Sequence, residues 1–522
     1  MARSIFSWSC LLLCWSLLVP VLAQDETFTA LAEDHQLAGM SVVTRCQGET
    51  VTSAHVGFRD IGRKLPANAQ TLYRMASISK AVVALMVADL VEGGAMDYDA
   101  PLSSYLDSPP VHPGHPDVPL TVNHLLTHTS GIRDGSGYGP FLSASYTDIP
   151  NVPQLGDVLS EDGEHYTTDM WGNGAPGTWF QYANLNYGVL ATVMEAATGI
   201  RFDLLAHDLL FGPFGLDAGF RVQQLDDIND VAVLYRQYDG QWTPQADHYL
   251  GEMPAGPDWS GYIPGTNAAC FSPQGGLRIS AEDLSTLVQL WSTGIAEAAD
   301  GADLTLLGPD AVSALKAQQW SHDPSGSGNG NNYYGLFNAW ARGLHLAASG
   351  LGEDEVIPEA GVSPFIGHPG EAYGLISDAY STPAGEWSVV LAINGKWDGY
   401  GSGPASAYYA VEQEVFAALQ GELQQCLTAS VEAPPTVALN IAVLGMPRAG
   451  DTTLTLRAPG LDRTPHPFRL LDETGRDIAQ GHAEPTASGN WRLTVPPLRP
   501  GWHIGQIGGG SEPGRFLLVV GG

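Results

Sequence analysis

The sequence predicts a large α/β domain followed by a small all-β sandwich domain. Strand-like segments occupy both ends of the first region, at 41–58 and 386–394, and segments with helical spacing lie between them. The composition changes near 433–435, after which short β-like runs alternate with Gly, Pro and Asp. We therefore expect a first domain over 24–428 and a second domain over 429–522.

The N-terminal segment, 1–23, is predicted to be a signal peptide. Arg3 precedes an apolar stretch from Cys10 to Leu22, and Val21-Leu22-Ala23 is a suitable cleavage site. The stretch is shorter than the roughly 20 apolar residues of a membrane span, although an uncleaved anchor is the alternative interpretation. We expect a periplasmic or secreted protein without integral membrane association.

The charge of the chain excludes several classes of partner. Fifty-six acidic residues against 23 Lys and Arg give a formal net charge of −33 at pH 7. Such a surface repels nucleic acid and anionic lipid, so we expect no nucleic-acid partner. The partner that remains is a small-molecule or peptide substrate, and nothing indicates a partner for the C-terminal domain.

Three cysteines remain after the predicted signal peptide: Cys46, Cys270 and Cys426. One disulfide and one free thiol would suit an oxidising compartment, and the spacing leaves the pairing open. No close group of Cys and His predicts a zinc site, so neither a metal nor another cofactor is expected.

The first region contains several segments with the spacing of amphipathic or buried helices. These segments are 77–92, 121–131, 185–198, 281–292 and 405–421. Residues 133–180 are instead rich in Gly, Ser, Asp, Pro and aromatic residues. That stretch is too long for a plain connection, and we predict a functional loop region there.

Ser77-Ile78-Ser79-Lys80 is the main candidate for chemistry. Residues three apart lie on the same face of a helix, so Ser77 and Lys80 can meet in a cleft. Serine becomes a nucleophile when a base takes its proton. Lysine is such a base only when neutral, which from a reference pKa of about 10.4 costs about 4.6 kcal/mol at pH 7.

A second copy of this spacing occurs at Ser313-Ala314-Leu315-Lys316, in a predicted surface helix. The two copies differ in the motifs that come after them along the chain. Tyr182-Ala183-Asn184 comes after only the first copy, and it supplies a phenol that can carry a proton and an amide that can hold a substrate. His368-Pro369-Gly370 comes next, before the final strand and helix of the first domain.

These motifs together resemble the serine β-lactamase and penicillin-binding-protein family, in its class C, D-peptidase and esterase branch. The resemblance covers about 30 to 421, and its motifs are YRMASISK, DAPLSSYL, HLLTHTSGI, APGTWFQYANLNYGVL, SPQGGLRISAEDL and GHPGEAYG. The fold it implies is the β-lactamase/transpeptidase-like one, an antiparallel sheet flanked by helices plus a mostly helical half. In this chain, Tyr182-Ala183-Asn184 occupies the place of the S-D-N motif of related enzymes, and His368-Pro369-Gly370 occupies the place of their K-T-G motif.

The resemblance implies a role for each residue that matches a motif. Ser77 would form the acyl-enzyme, Lys80 would activate it, and Tyr182 would act as general acid and base. Asn184 would contact the substrate.

His368 and Gly370 would line the cleft, and the amides of Ser77 and Glu371 would form the oxyanion hole. A histidine in place of a permanent cation weakens the interpretation as an enzyme for substrates with a carboxylate, such as penicillins and peptide C termini.

We therefore predict an exported serine hydrolase that acts on an ester, an amide or a D-amino-acid peptide. A β-lactamase or a D-alanyl-D-alanine carboxypeptidase is the alternative among enzymes. A non-catalytic penicillin-recognising sensor or binding protein is the alternative outside them. No G-x-S-x-G occurs, so the α/β-hydrolase fold has no support. His124 and His128 are four apart, like a metal pair, but we assign them to the scaffold.

Overall fold

The molecule is described from a computed structural model. It describes residues 26–520 except 148, 150, 326–327, 334, 349–353, 358–359, 398, 404–407, 431–441, 444–446, 459–460, 462–463, 473, 487–489 and 509–513. The predicted signal peptide, at 1–23, and the composition change near 433–435 lie outside the described residues.

Helices occupy much of the first domain. They are α1 (26–34), α2 (Ile78–Glu92), α3 (Val122–Leu126), α4 (Tyr138–Thr147), α5 (Gly156–Leu159), α6 (Leu185–Thr198), α7 (Phe202–Ala206), α8 (Ala281–Thr293), α9 (Pro309–Lys316) and α10 (Ala410–Ser430). Within the described residues, none of them combines the length and the apolarity needed to cross a bilayer.

Most strands lie at the two ends of the first domain and in the C-terminal region. They are β1 (Gly39–Cys46), β2 (Glu49–Asp60), β3 (Leu65–Pro66), β4 (Leu72–Arg74), β5 (Ala218–Gly219), β6 (Leu234–Tyr238), β7 (Gln241–Ala246), β8 (Arg278–Ser280), β9 (Ile295–Glu297), β10 (Asp303–Thr305), β11 (Trp320–Ser321), β12 (Ala339–Trp340), β13 (His345–Ala347), β14 (Phe365–Ala372), β15 (Leu375–Ser381), β16 (Trp387–Ile393), β17 (Ala442–Val443), β18 (Thr453–Arg457), β19 (His466–Leu471), β20 (Asp477–Pro485), β21 (Trp491–Thr494), β22 (Gly501–Ile507) and β23 (Gly514–Val520).

The predicted helices are present, with three differences. The segment predicted at 121–131 is helical only over Val122–Leu126. The predicted loop region at 133–180 contains α4 and α5, because Phe141, Val158 and Leu159 bury apolar side chains that composition alone does not reveal. The last helix, α10, runs from Ala410 to Ser430, nine residues beyond the predicted end, and 405–407 of the predicted segment lie outside the described residues.

The largest described sheet of the first domain runs through its centre. Within the described residues, nine antiparallel strands follow the order β11-β12-β13-β14-β15-β16-β1-β2-β3. Alternate residues point to opposite faces, so Ala379 joins the large core around α2 and α8, whereas Tyr380 joins the core under α10. Helix α2 is buried nearly all round, which makes it a rigid support for its first residues.

The C-terminal region is all-β, as the sequence predicts. Its described strands form one curled sheet in the order β17-β18-β21-β20-β19-β22-β23, which continues through β10 and β9 of the first domain. Leu456 and Trp491 from one half share a core with Leu470 and Ile507 from the other. The observed α/β domain followed by an all-β region confirms the predicted fold class.

The two regions contact each other directly. Strand β23 pairs with β10 at Phe516 and Thr305, and Trp502 packs into the core of the first domain. Arg457 forms an ion pair with Glu92 at 3.1 Å. The C-terminal region therefore packs against the first domain and covers some of its apolar surface.

A disulfide joins Cys46, at the end of β1, to Cys426 in α10, and Cys270 is a buried free thiol. The bond links residues 380 apart in the sequence, so it removes many conformations from the unfolded chain.

We expect reduction of the disulfide between Cys46 and Cys426 to lower the free energy of unfolding by about 2–5 kcal/mol. Thermal melts with and without reductant measure this. The Cys46→Ala/Cys426→Ala variant should no longer respond to reductant, and a wild type that is equally insensitive would contradict the pairing.

Candidate active site

Ser77 and Lys80 meet at the first turn of α2. The Nζ atom of Lys80 lies 3.0 Å from the Oγ atom of Ser77, and it also donates to the backbone carbonyl of Gln274 at 2.7 Å. Two elements therefore fix the lysine, its own helix and the segment before β8. Because the carbonyl accepts one Nζ hydrogen, a neutral amine keeps its lone pair for the proton of Ser77.

The surroundings of Lys80 favour its neutral form. The side chain is fully buried, and this burial lowers its pKa from 10.5 to about 7, although Asp134 raises it. Desolvation therefore favours the neutral amine without the help of a neighbouring cation. At pH 7 an appreciable fraction of the protein holds Lys80 ready to accept a proton.

Tyr182 lies on the other side of the serine. Its phenol forms a side-chain hydrogen bond with Ser77, and Lys80 Nζ lies 5.0 Å from the centre of its ring. Burial raises the pKa of Tyr182 well above 10, so the phenol keeps its proton at neutral pH. Tyr333 and Phe337 stack on the same ring, with centroids 4.8 and 5.2 Å away, and hold it in place.

Two buried histidines stand behind this group. Burial and then the proximity of Lys80 lower the pKa of both His128 and His368 well below 6.5, so both rings are neutral. The Nδ1 atom of His368 lies 2.5 Å from the carbonyl of Pro369 and donates to it, which leaves Nε2 as a bare acceptor without a protein partner among the described residues. Tyr182, Phe337 and Trp340 surround this ring.

Strand β14 passes directly against the serine. A Cβ atom on Gly370 would lie 2.5 Å from the carbonyl oxygen of Met75 and 3.3 Å from the backbone nitrogen of Ser77. Only a glycine permits this approach. The backbone nitrogen of Ser77, the residue before α2, therefore lies close to β14.

The far edge of β14 opens into the cleft. Strand β13 pairs with β14 only as far as Gly367, so the residues beyond it have β15 on one side and the cleft on the other. Pro369 has no N–H and suits the open side. In a strand, residues two apart direct their backbone nitrogens to the same side. Glu371 is two residues after Pro369, so its amide also faces the cleft, opposite the amide of Ser77.

Asn184 stands at the N-terminus of α6, where Asp134 holds it. One carboxylate oxygen of Asp134 accepts from the backbone and the side-chain nitrogen of Asn184, both at 2.8 Å. The other oxygen accepts from the amide of Leu185 at 2.9 Å. Sequence reasoning missed Asp134, since the contact joins segments 50 residues apart and no local pattern marks it.

These residues line one cleft of about 770 Å³. It contains Ser77, Tyr182, Asn184, His368, Gly370 and Glu371, which are six of the seven predicted site residues. The seventh, Lys80, is buried beneath Ser77. Arg74 lines the same cleft and was not singled out from the sequence, because an arginine beside a motif carries no signal of its own.

The second copy of the serine–lysine spacing lies elsewhere. Ser313 is exposed on α9, and Lys316 donates to the carbonyls of Ser292 and Pro383 at 2.7 and 2.8 Å. His124 belongs to the cap of α3 and His128 packs on Tyr182. In the part of the chain that the structure describes, no group of three or more His, Cys, Asp or Glu could hold a metal ion.

Known proteins are similar to this chain to different extents. Penicillin-binding protein 4* of Bacillus subtilis (strain 168) is 28% identical over 190 residues, 36% of this chain and 39% of that protein. Esterase EstB of Burkholderia gladioli is 32% identical over 200 residues, 38% of this chain and 50% of that protein. The chain therefore spans half or less of the length of these two curated relatives.

A solved structure extends the likeness to the fold. EstCE1, a hydrolase with promiscuous acyltransferase activity, superposes with a TM-score of 0.56 at 18% identity, over 76% of this chain and 98% of that chain. The sequence itself matches the family described as Beta-lactamase over residues 25–404, which is more than half of its 522 residues. The chain therefore belongs to the beta-lactamase family, the hydrolase family that its motifs predict.

Proposed function

We propose that the protein is an exported serine hydrolase that forms an acyl-enzyme on Ser77 and acts on an ester or amide. The observation that carries this proposal is the buried contact between Lys80 and Ser77 at 3.0 Å, with the protonated phenol of Tyr182 beside it. A serine between a neutral amine and a phenol has both a base and an acid for acyl transfer.

Acylation uses each of these groups in turn. Neutral Lys80 takes the proton of Ser77 while the Oγ atom forms a bond to the substrate carbonyl carbon. The carbonyl oxygen becomes negative between the amides of Ser77 and Glu371, which stabilise it. When the intermediate collapses, the bond to the leaving group breaks and the proton of Tyr182 passes to that group. The tyrosinate is then neutralised by the proton held on Lys80.

Deacylation uses the same groups in the reverse order. A water molecule replaces the leaving group near Tyr182. The phenol passes its proton to neutral Lys80 and takes a proton from the water, whose oxygen forms a bond to the ester carbon of the acyl-enzyme. The bond to Ser77 breaks, and its Oγ atom regains a proton from Lys80. The products are a carboxylic acid and the free enzyme, and no cofactor is needed.

The neutral His368 argues for esters and amides whose leaving group has no carboxylate. Its ring sits among Tyr182, Phe337 and Trp340, where a carboxylate would find no cation. A penicillin or a peptide C-terminus would place its carboxylate there, so the β-lactamase and carboxypeptidase alternatives are less favoured. The printed name of the relative EstB, an esterase, agrees with this choice.

The proposed export rests on two features. Residues 1–23 have the pattern of a signal peptide, and a disulfide joins Cys46 to Cys426. Disulfides of this structural kind persist in oxidising compartments such as the periplasm or the exterior of the cell. The non-catalytic sensor alternative has less support, because a sensor has no use for a complete proton path through Lys80 and Tyr182.

Covalent labelling tests the nucleophile. A fluorophosphonate should add one adduct to the wild type, and peptide mapping should place it on Ser77. The Ser77→Ala variant should take no label and should hydrolyse p-nitrophenyl acetate at the background rate. The matched control is Ser313→Ala, which removes the serine of the second motif and should label and turn over like the wild type. Labelling of Ser77→Ala at the wild-type rate would refute the assignment.

A further inference from the structure

Arg74 lies on β4, three residues before Ser77, and lines the same cleft. Its Nε atom donates to the backbone carbonyl of Gly275 at 3.2 Å, and the guanidinium carbon lies 4.9 Å from the centre of the Tyr373 ring. These contacts fix the plane of the guanidinium. They engage one of its five N–H groups, so the remaining four are oriented but have no acceptor within the described residues.

The charge of Arg74 has no ionic partner among the residues that the structure describes. Asp247, a carboxylate that attracts it, is already bound by Arg278 at 2.6 and 3.1 Å. Glu371 lines the same cleft, but it accepts from the phenol of Tyr409 at 2.7 Å and lies 4.0 Å from Arg236 rather than pairing with Arg74. In a chain with 56 acidic residues and 23 basic ones, a cation in the cleft without a partner is unusual.

The position of Arg74 along the cleft decides which part of a substrate it meets. Three positions along β14 mark the length of the cleft. His368 lies beside Tyr182, and Gly370 lies next to Ser77. Tyr373, in the turn after the strand, stacks on Arg74. Tyr182 supplies the proton of the leaving group, so the leaving group lies at the His368 end. The acyl group must then extend toward the Arg74 end.

We propose that Arg74 binds a carboxylate carried by the acyl group, so that the enzyme prefers monoesters or monoamides of dicarboxylic acids. This specificity rests on the proposed hydrolase function and adds its substrate class. A carboxylate accepts two parallel N–H bonds from a guanidinium, which gives both orientation and strength. The rings of Tyr373 and Tyr146 border the site and suit the methylene chain between the two carboxyl groups.

The surroundings of Arg74 favour such a ligand. Burial and the neighbouring Arg278 lower the pKa of Arg74, which means that the protein groups around it stabilise its cationic form poorly. The group still keeps its charge at neutral pH, since an arginine does not lose its proton in proteins. A substrate carboxylate would supply the missing counter-charge. Because the acidic surface of the chain repels anions in general, the preference for a carboxylate must come from this local contact with Arg74.

Matched esters test the inference. The probes are p-nitrophenyl hydrogen adipate and p-nitrophenyl methyl adipate, which differ by one charge at the end of the acyl chain and share a leaving group. We expect the wild type to show a kcat/KM at least about tenfold higher for the free acid, as a charge-assisted hydrogen bond gives. Arg74→Gln should bring this ratio to about one, and Arg74→Lys should give an intermediate ratio. Because each ratio is taken within one variant, a general loss of activity cancels.

Controls separate this inference from the proposed function. Arg469→Gln removes one positive charge from an exposed pair with Asp477 in the C-terminal region and should keep the wild-type ratio. A wild-type ratio near one, with Ser77-dependent hydrolysis of both esters, would overturn the role of Arg74 and leave the hydrolase function intact. Absence of Ser77-dependent turnover of either ester would instead overturn the hydrolase function, and this inference with it. If Arg74→Gln does not fold, Arg74→Lys takes its place, and a full wild-type preference kept by either variant would overturn the role of Arg74.

Discussion

Replacing Lys80 by methionine is expected to lower kcat/KM for a p-nitrophenyl ester by about 10³-fold or more. General-base catalysis contributes about 10²–10⁴-fold, and a serine without a base is a poor nucleophile. Methionine has a similar length and no charge, so it fills the same buried space without the amine. The contacts that position Tyr182 and the oxyanion donors remain, which confines the loss to proton transfer.

The same residue predicts the pH dependence of the wild type. The amine must be neutral to act, and burial lowers the pKa of Lys80 to about 7, so kcat/KM should rise with pH through about 7. The phenol of Tyr182, with its pKa raised well above 10 by burial, should cause no fall in activity near neutral pH. The residual activity of Lys80→Met should lack the rise near pH 7. A wild-type rate that falls as the pH rises through 7 would contradict the role of Lys80.

Replacing Lys80 by methionine should raise the stability of the fold while it lowers the activity. Lys80 binds its proton more weakly in the folded chain than in the unfolded chain, whose lysine has a pKa near 10.5. Its burial therefore destabilises the fold, fully below about pH 7 and less as the pH rises from about 7 toward 10.5. We expect Lys80→Met to melt at a higher temperature than the wild type at pH 6. Measuring both kcat/KM and the melting temperature of Lys80→Met distinguishes a catalytic lysine from one that only supports the fold.

The sequence was enough to predict the parts of the site that depend on local order. Three-residue spacing on a helix brings Ser77 and Lys80 together whatever the rest of the chain does. Tyr182 and Asn184 were found because they occur in one short motif that no other segment repeats. The helix after them is also predicted directly by the spacing of its apolar residues.

The parts that could not be predicted depend on contacts between distant segments. Lys80 donates to the backbone carbonyl of Gln274, and every residue has such a carbonyl, so the residue type at 274 could not predict this contact. Asp134 acts on Asn184 across 50 residues, and Cys46 pairs with Cys426 across 380. The helices within 133–180 were missed because Gly, Ser and Asp in that stretch outweigh the few apolar residues that it buries.

Replacing Gly370 by alanine is expected to lower kcat by about 100-fold or more. The added Cβ would lie 2.5 Å from the carbonyl oxygen of Met75, a backbone atom that cannot rotate away, and 3.3 Å from the nitrogen of Ser77. Strand β14 or the turn before α2 must therefore shift. Either movement separates the amides of Ser77 and Glu371, and loss of one oxyanion donor costs about 10²–10³-fold in kcat.

The effect of Gly370→Ala should appear in kcat and much less in KM, because the oxyanion exists in the transition state and not in the bound ester. Gly421→Ala is the matched control, since Gly421 lies in α10 with no atom within 4 Å of an added Cβ. It should keep wild-type kinetics and gain slightly in stability, as alanine does over glycine in a helix. If Gly370→Ala kept the wild-type kcat while folding normally, β14 would not provide the second oxyanion donor. The carbonyl oxygen would then need another donor from the cleft, for which the side chain of Asn184 would be the candidate.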